Sequence, residues 1–246
     1  MVRTKTLNNL HELISRYSTG RVLDIATGRG GFVCLLHEHL VGYDTIVGVD
    51  YHRHVLLEAY AQCLGPKIAY SQMEVTRLAF APQSFDMVCA SASMHHLENP
   101  PSALEEALRT LETGGFFLLV ETHRDARDEP QETAVKLHHW AADVDVERGI
   151  YHLNTYSRKG LLEFVEHLEL ADIQSHDIHH PVEDPKDPDT VERLRKFIDR
   201  HLALVNGTSA YSGLSERARE IKHRLNTVGV RREPVVAITG VKQSAK

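Results

Sequence analysis

Apolar residues in this chain come as short unbroken runs separated by stretches where they recur every third or fourth position. The runs lie at 22–25, 46–50, 68–73, 85–91 and 116–122. Each reads as a strand buried on both faces, because a half-solvated strand would alternate apolar with polar. Between them, 31–40, 53–63 and 101–111 carry helical periodicity. Residues 7–17 put Leu7, Leu10, Leu13, Ile14 and Tyr17 on one helical face, and Gly20 is expected to stop that helix. Gly65-Pro66 ends the helix before the third strand, Pro101 starts the next helix, and Gly114-Gly115 ends it.

This rhythm is β-α alternation with continuously apolar strands. It predicts a parallel sheet covered by helices on both faces, wound by right-handed crossovers into a doubly wound α/β layer. Such a sheet delivers the C-terminal ends of its strands to one crevice. The positions to read for chemistry are therefore 26–30, 50–51, 73–75, 90–96 and 121–124.

After residue 123 the rhythm changes. A polar stretch at 124–156 has a helical core at 131–145. A surface helix at 160–170 and a strand at 171–178 follow. The Pro/Asp-rich segment PVEDPKDPD opens a second stretch, 181–232, with helices expected near 190–205 and 214–226. That segment reads equally as an acidic linker. Residues 234–242 make a last strand, the seventh. The expected fold is thus one domain over residues 1–246, a seven-stranded, mostly parallel, Rossmann-like sheet with helical cap insertions at about 124–156 and 181–232.

Composition narrows the setting. Hydrophobic residues are 42% and charged residues 25% of 246, as in ordinary globular domains. No run approaches the roughly 18 apolar residues of a membrane span, and MVRTKTLNNLHELI is too polar for a secretory signal. The three cysteines, Cys34, Cys63 and Cys89, are scattered in apolar segments and read as reduced thiols of a cytoplasmic protein. A formal net charge of -6 argues against a general nucleic-acid binder. Oligomeric state is not legible. The unusual feature is 17 histidines, several of them adjacent.

The first strand runs into VLDIATGRGGF, Val22 to Phe32. Gly28 and Gly30 allow a tight turn and close backbone approach, but Val33 stands where a dinucleotide fingerprint needs its third glycine. Asp50 closes the second strand 20 residues after Gly30, where a carboxylate can hold the two hydroxyls of a ribose. Asp24, just before the turn, disfavours a phosphate and favours a cation.

This set resembles the class I S-adenosylmethionine-dependent methyltransferases, whose first motif reads roughly D-x-G-x-G-x-G. Here Ala26 replaces the first glycine, a variant similar to the branch that includes quinone-ring C-methyltransferases. The resemblance continues through Asp50-Tyr51, Glu74-Val75 with Arg77-Leu78-Ala79-Phe80, SFDMVCASASMHHL and LETGGFFLLVE, covering about residues 20–123. It implies S-adenosylmethionine as cofactor, bound around Asp24, Ala26, Gly28, Gly30, Asp50, Tyr51, Glu74, Val75 and Ser91. Asp24 is the implied partner of the cofactor's ammonium group.

The resemblance implies in-line transfer of a sulfonium methyl group to a small-molecule acceptor, by O-, C- or S-methylation. A base is required only if the nucleophile arrives protonated. His95 and His96, after the fourth strand, are candidates, although the pair can equally pack against the cofactor pocket. His139 is the third candidate. His138, Trp140 and Tyr151 would line the acceptor pocket, with His152 nearby. His139 and Asp143, at i and i+4, could form two ligands of a metal, but spacing fixes no third, so no metal is expected. HDIHH at 176–180 reads as a solvent-facing turn. Two alternatives stay open: methylation of a macromolecule, protein or tRNA, and a non-catalytic protein that only binds the cofactor.

Overall fold

The computed structural model describes residues 3–7, 9–179 and 184–244, with the backbone alone for 3–7. Its centre is one sheet whose strands are β1 (Arg3–Leu7), β2 (Arg21–Ile25), β3 (Thr45–Asp50), β4 (Ile68–Gln72), β5 (Phe85–Ser91), β6 (Leu111–Thr122), β7 (Leu170–Ile178) and β8 (Val235–Lys242). Their spatial order is β1-β7-β8-β6-β5-β2-β3-β4. Strands β2 to β6 pair in parallel, and β8 inserts antiparallel between β6 and β7. The seven strands expected from the apolar runs are all present. An eighth, β1, adds in parallel to β7, with Arg3 opposite Gln174 and Leu7 opposite Ile178.

That strand corrects the N-terminal helix expected over 7–17. The helix, α1, is only Leu10–Ile14, capped by Asn9 accepting from the Glu12 amide. Leu13 and Ile14 are buried as the periodicity required. Leu7 instead lies in the ladder along β7, where its backbone groups find partners.

Helices α2 (Gly31–His39), α3 (Arg53–Gln62) and α4 (Pro100–Thr110) cross between parallel strands. Two apolar layers result, one on each face of the sheet. One joins Leu23, Ile25 and Val88 to α4 residues Leu104 and Leu108; the other joins Val22, Ile46 and Met87 to α2 residues Val33 and Leu36. β6 starts earlier than expected, at Leu111, and its glycines lie inside the strand. The β5–β6 register shifts between Phe85 and Met87 to accommodate them.

The remaining helices are α5 (Glu129–Glu147), α6 (Arg158–Glu166), α7 (Pro188–Ala203) and α8 (Tyr211–Thr227). Helices α5, α7 and α8 build a third apolar cluster of their own from Leu137, Trp140, Val144, Ile198, Leu214, Ile221 and Leu225. Part of the Pro/Asp-rich segment, from Pro181 to Glu183, lies outside the described residues; from Asp184 onward it leads into α7, capped by Asp187. His176 to Ile178 of HDIHH lie in β7 rather than in a turn. Ser175 and His176 are buried in β7, and Asp177 accepts from Arg127 and Arg158; His180 lies outside the described residues.

Candidate functional site

The C-terminal ends of β2, β3 and β5 are neighbours in the sheet, so the residues after them meet at one edge. Beyond β2 the chain turns sharply: Ala26, Gly28 and Gly30 all have positive φ, at 50°, 53° and 78°. The two glycines serve different ends. A Cβ on Gly30 would lie 2.9 Å from Ala59 Cβ and from the Tyr70 hydroxyl, so α3 can approach only a glycine. A Cβ on Gly28 would meet nothing within 4 Å, so its bare backbone faces open space, as close approach of a ligand requires.

Asp50, at the end of β3, is buried and fastens this turn. Its Oδ2 accepts from the Gly28 amide at 2.9 Å and its Oδ1 from the His52 amide at 2.8 Å. A carboxylate has about four acceptor positions, so two remain for hydroxyl groups. Asp24 is 1% exposed and accepts from the Thr27 hydroxyl and, at 3.7 Å, from the Cys89 thiol. Burial raises its carboxyl to about 7, against the pull of those two donors, and the nearby Asp50 charge adds to the rise. A cation brought beside it would ionise it.

Not every expected cofactor residue faces this space with its side chain. Tyr51 is exposed and Ser91 half-buried at the end of β5. Glu74 is exposed, with Thr76 donating to it. Val75 points the other way, into the apolar layer with Leu78, so only its backbone can serve a ligand.

Beyond β5 a single 3-10 turn carries Met94, His95 and His96. Glu121, which falls in the strand-end window 121–124 but has no role assigned from the sequence, holds that turn: its buried Oε1 accepts from the Ser93 amide at 2.7 Å and the Met94 amide at 3.0 Å. Burial lifts its carboxyl to about 7. His95 is 2% exposed, whereas His96 stands at the surface.

Helix α5 and the loop after it meet this turn. The Leu153 amide donates to the His95 carbonyl at 2.8 Å. The rings of His95 and His138 lie 4.9 Å apart and those of His96 and His152 4.1 Å apart. Four imidazoles thus converge from 95–96, 138 and 152. Desolvation first, and then repulsion from the neighbouring imidazoles, drives His95 and His96 down to about 3, so both are neutral at physiological pH.

The other cap residues divide. His139 turns away from the cluster and its Nε2 meets the Thr155 hydroxyl at 2.9 Å. Asp143 accepts from Arg217 at 2.6 Å, so the His139–Asp143 metal pair considered from helical spacing does not form. Trp140, expected to line an acceptor pocket, is 1% exposed inside the α5–α7–α8 cluster, donating from Nε1 to the Leu214 carbonyl at 2.9 Å. An indole there is a core residue with its one donor satisfied. Tyr151 is 39% exposed on the loop after α5. His152 (held by Asp145), Glu233 and Glu121, rather than Trp140 and Asp143, stand beside His95 and His138. Glu233, 95 positions from His138, carried no local signal.

A cavity of about 470 Å³ lies elsewhere, at the N-terminal ends of β2 and β5, lined by Thr19, Gly20, Asp86 and Gly114 among others. Its acids Asp86 and Glu112 are both paired with Arg21.

A strand-ended crevice with a bare glycine turn and buried acids at Asp50 and Asp24 belongs to a Rossmann-like fold. The comparisons narrow that class. Residues 23–119 match the family described as "Methyltransferase domain". The chain is 29% identical over 109 residues to the ubiquinone/menaquinone biosynthesis C-methyltransferase UbiE of Desulfotalea psychrophila, a match covering 44% of each chain. It spans less than half the length of that relative. Among solved structures, the YcgJ protein of Bacillus subtilis superposes with TM-score 0.61 at 20% identity, covering 96% of this chain and 98% of the other. A phosphoethanolamine N-methyltransferase of Haemonchus contortus, in complex with S-adenosylhomocysteine, gives TM-score 0.56 at 18% identity, covering 95% and 52%. Over residues 23–119 this chain is therefore similar to the class I S-adenosylmethionine-dependent methyltransferases, a likeness that points to S-adenosylmethionine as cofactor. Among the described residues no helix is long and apolar enough to cross a membrane.

Proposed function

We propose that the protein methylates a small-molecule acceptor held between the glycine turn and the helices α5, α7 and α8, which act as its cap. The observation that carries this reading is the convergence of four imidazoles on the C-terminal end of β5, beside the strand that bears the glycine turn. When bound, S-adenosylmethionine supplies an activated sulfonium methyl group. Asp50 takes the ribose hydroxyls, Gly28 lets the backbone approach, and Asp24 pairs with the ammonium group. Glu74 and the Val75 backbone bracket the base, while Tyr51 and Ser91 border the site.

His95 and His96 face the acceptor side. With conjugate acids near 3 they bind and orient an acceptor better than they take a proton from one. His138 joins them. His139 supports the loop that carries Tyr151 and His152. The ordered docking of that loop excludes water, which methyl transfer to a weak nucleophile requires. The reading is of a cytoplasmic enzyme; its cysteines are free thiols, two of them buried.

Calorimetry with S-adenosylhomocysteine, followed by a methyl-release assay over phenols, quinols, enols and thiols, tests the proposal. Binding with turnover on one of these small acceptors is expected. Turnover only on protein or tRNA would replace the acceptor class. Binding with no turnover on any acceptor would make the chain a cofactor-binding protein, and absence of binding would overturn the cofactor assignment as well.

A further inference from the structure

Ring nitrogens of His95, His96 and His152 all lie within 4.8 Å of one another. His138 brings a fourth: its Nε2 is 3.3 Å from Nε2 of His152. The groups behind these two rings limit what that contact can be. His138 Nδ1 is 2.9 Å from Glu233 Oε2, and His152 Nδ1 is 3.0 Å from Asp145 Oδ2. A carboxylate accepts, so each Nδ1 carries the donated proton. In neutral rings that leaves an unshared pair on each Nε2, and the two pairs face each other.

Two such nitrogens at 3.3 Å attract only through a cation between or beside them. A proton would do this at the cost of making one ring an imidazolium among three other imidazoles. A metal ion fits the spacing: two nitrogens about 2.0–2.1 Å from a tetrahedral ion stand roughly 3.3 Å apart. His95 Nδ1 lies 3.7 Å from Glu121 Oε2, beyond hydrogen-bond distance, and that buried oxygen has no hydrogen-bond partner. Two of the four rings thus have a carboxylate hydrogen-bonded behind Nδ1, the arrangement that fixes tautomer and orientation in metal-ligating histidines.

We propose that His95, His96, His138 and His152 form a binding site for a divalent transition-metal ion of the zinc type. The donor set is all imidazole, which favours zinc and its late first-row neighbours over magnesium or calcium. His96, exposed, marks the side from which ion and ligand enter. On the methyl-transfer reading, on which this last step rests, an oxygen or sulfur donor of the acceptor occupies a coordination position there. His138 and His152 then replace Trp140 and Tyr151 as the residues that select the acceptor.

The test uses the untagged full chain, stripped with a chelator and titrated with Zn²⁺ by calorimetry and with Co²⁺ by visible absorption. One saturable ion per chain is expected, with the intense d–d absorption of a tetrahedral cobalt site. The double variant His138→Ala/His152→Ala should lose the ion. Glu233→Gln and Asp145→Asn, which keep all four imidazoles, should each weaken it on the order of 10–100-fold. His223→Ala, an exposed histidine on α8, should change nothing. No saturable ion in the parent chain would overturn the site, as would an ion that the double variant keeps, or one that Glu233→Gln and Asp145→Asn leave untouched. S-adenosylhomocysteine affinity is read on the same samples. It reports folding of each variant and, failing in the parent chain, would sink the cofactor reading while leaving the metal titration standing.

Discussion

The two sides of the crevice are built differently. On the cofactor side, the turn of Asp24 to Gly30 and its partner Asp50 lie within 27 residues, set side by side by the β2–β3 register that pairs Asp24 with Gly48. On the histidine side, four rings and the carboxylates beside them come from positions 95, 96, 121, 138, 145, 152 and 233. The first is a local motif on rigid strand ends. The second exists only once α5 has docked. Their dependence on the packing of α5, α7 and α8 should therefore differ sharply.

The largest effect expected is for Trp140→Ala. Emptying an indole from the third cluster should cost about 3–5 kcal/mol, read as a drop in denaturant midpoint. Metal binding should go with it, while S-adenosylhomocysteine affinity stays within a few-fold of the parent in the folded fraction. Equal loss of both affinities would break the division between the two sides.

Gly30→Ala and Gly28→Ala sharpen it from the other side. Gly30→Ala forces a Cβ to 2.9 Å from Ala59 and Tyr70 at a φ of 78°, and should destabilise by about 3 kcal/mol. Gly28→Ala meets no neighbour, so it should cost about 1 kcal/mol for the left-handed backbone and act mainly on cofactor affinity. Thermal melts with and without S-adenosylhomocysteine separate the two.

Asp50→Ala removes the acceptor of two backbone amides and, on the proposed reading, of the ribose hydroxyls. A weakening of S-adenosylhomocysteine binding by roughly 10–100-fold is expected, the size of 1.5–3 kcal/mol for hydrogen bonds to a charged group. Zn²⁺ affinity should not move.

Asp24 gives a pH signature. Its carboxyl, raised from 3.8 to about 7 by burial, is protonated in the folded free protein below neutrality. The sign follows from linkage: because the folded value is the higher, this group's contribution to stability is fully present below about 4 and is lost as pH rises through 7. A bound ammonium group reverses the preference. Cofactor affinity should rise with pH up to about 7 and then level off, with proton release on binding at pH 6, measurable by calorimetry in buffers of different ionisation heat. Asp24→Asn should remove the release; if it persists, another group carries it.

The smallest effect is expected for His139→Ala. It leaves the buried Thr155 hydroxyl without its 2.9 Å partner, at about 1–2 kcal/mol. Turnover should fall more than cofactor affinity, because the loop above the site loosens while Asp50 and Gly28 do not. An equal fall in both would reject this support role.

What could be read in the sequence follows from how far each signal extends along the chain. Buried parallel strands must be apolar on both faces, so Val22–Ile25, Ile46–Val49 and Met87–Ala90 declared themselves as runs, and β-α alternation then fixed where their ends would meet. Gly28, Gly30 and Asp50 were legible because backbone conformation and strand register constrain residue type locally. The edge strand β1 was not: a strand paired on one side, five residues long, has no periodicity to set against the helical spacing of Leu10, Leu13 and Ile14.

The histidines mark the limit. Adjacent letters in LHHWAADVD gave three candidates, yet successive residues on a helix point about 100° apart. His138 therefore reaches the cluster, His139 turns to Thr155 and Trp140 enters the core. Sequence alone determined the sheet, the crevice and the meeting of the glycine turn with Asp50, because each is dictated by local conformation and by the burial of strands. Only the tertiary structure decided which imidazoles meet and that Glu121, Asp145 and Glu233 stand behind them. Contacts between side chains so distant in the chain leave no local pattern; they arise where α5 and the loop after it meet the turn after β5, with the Leu153 amide donating to the His95 carbonyl.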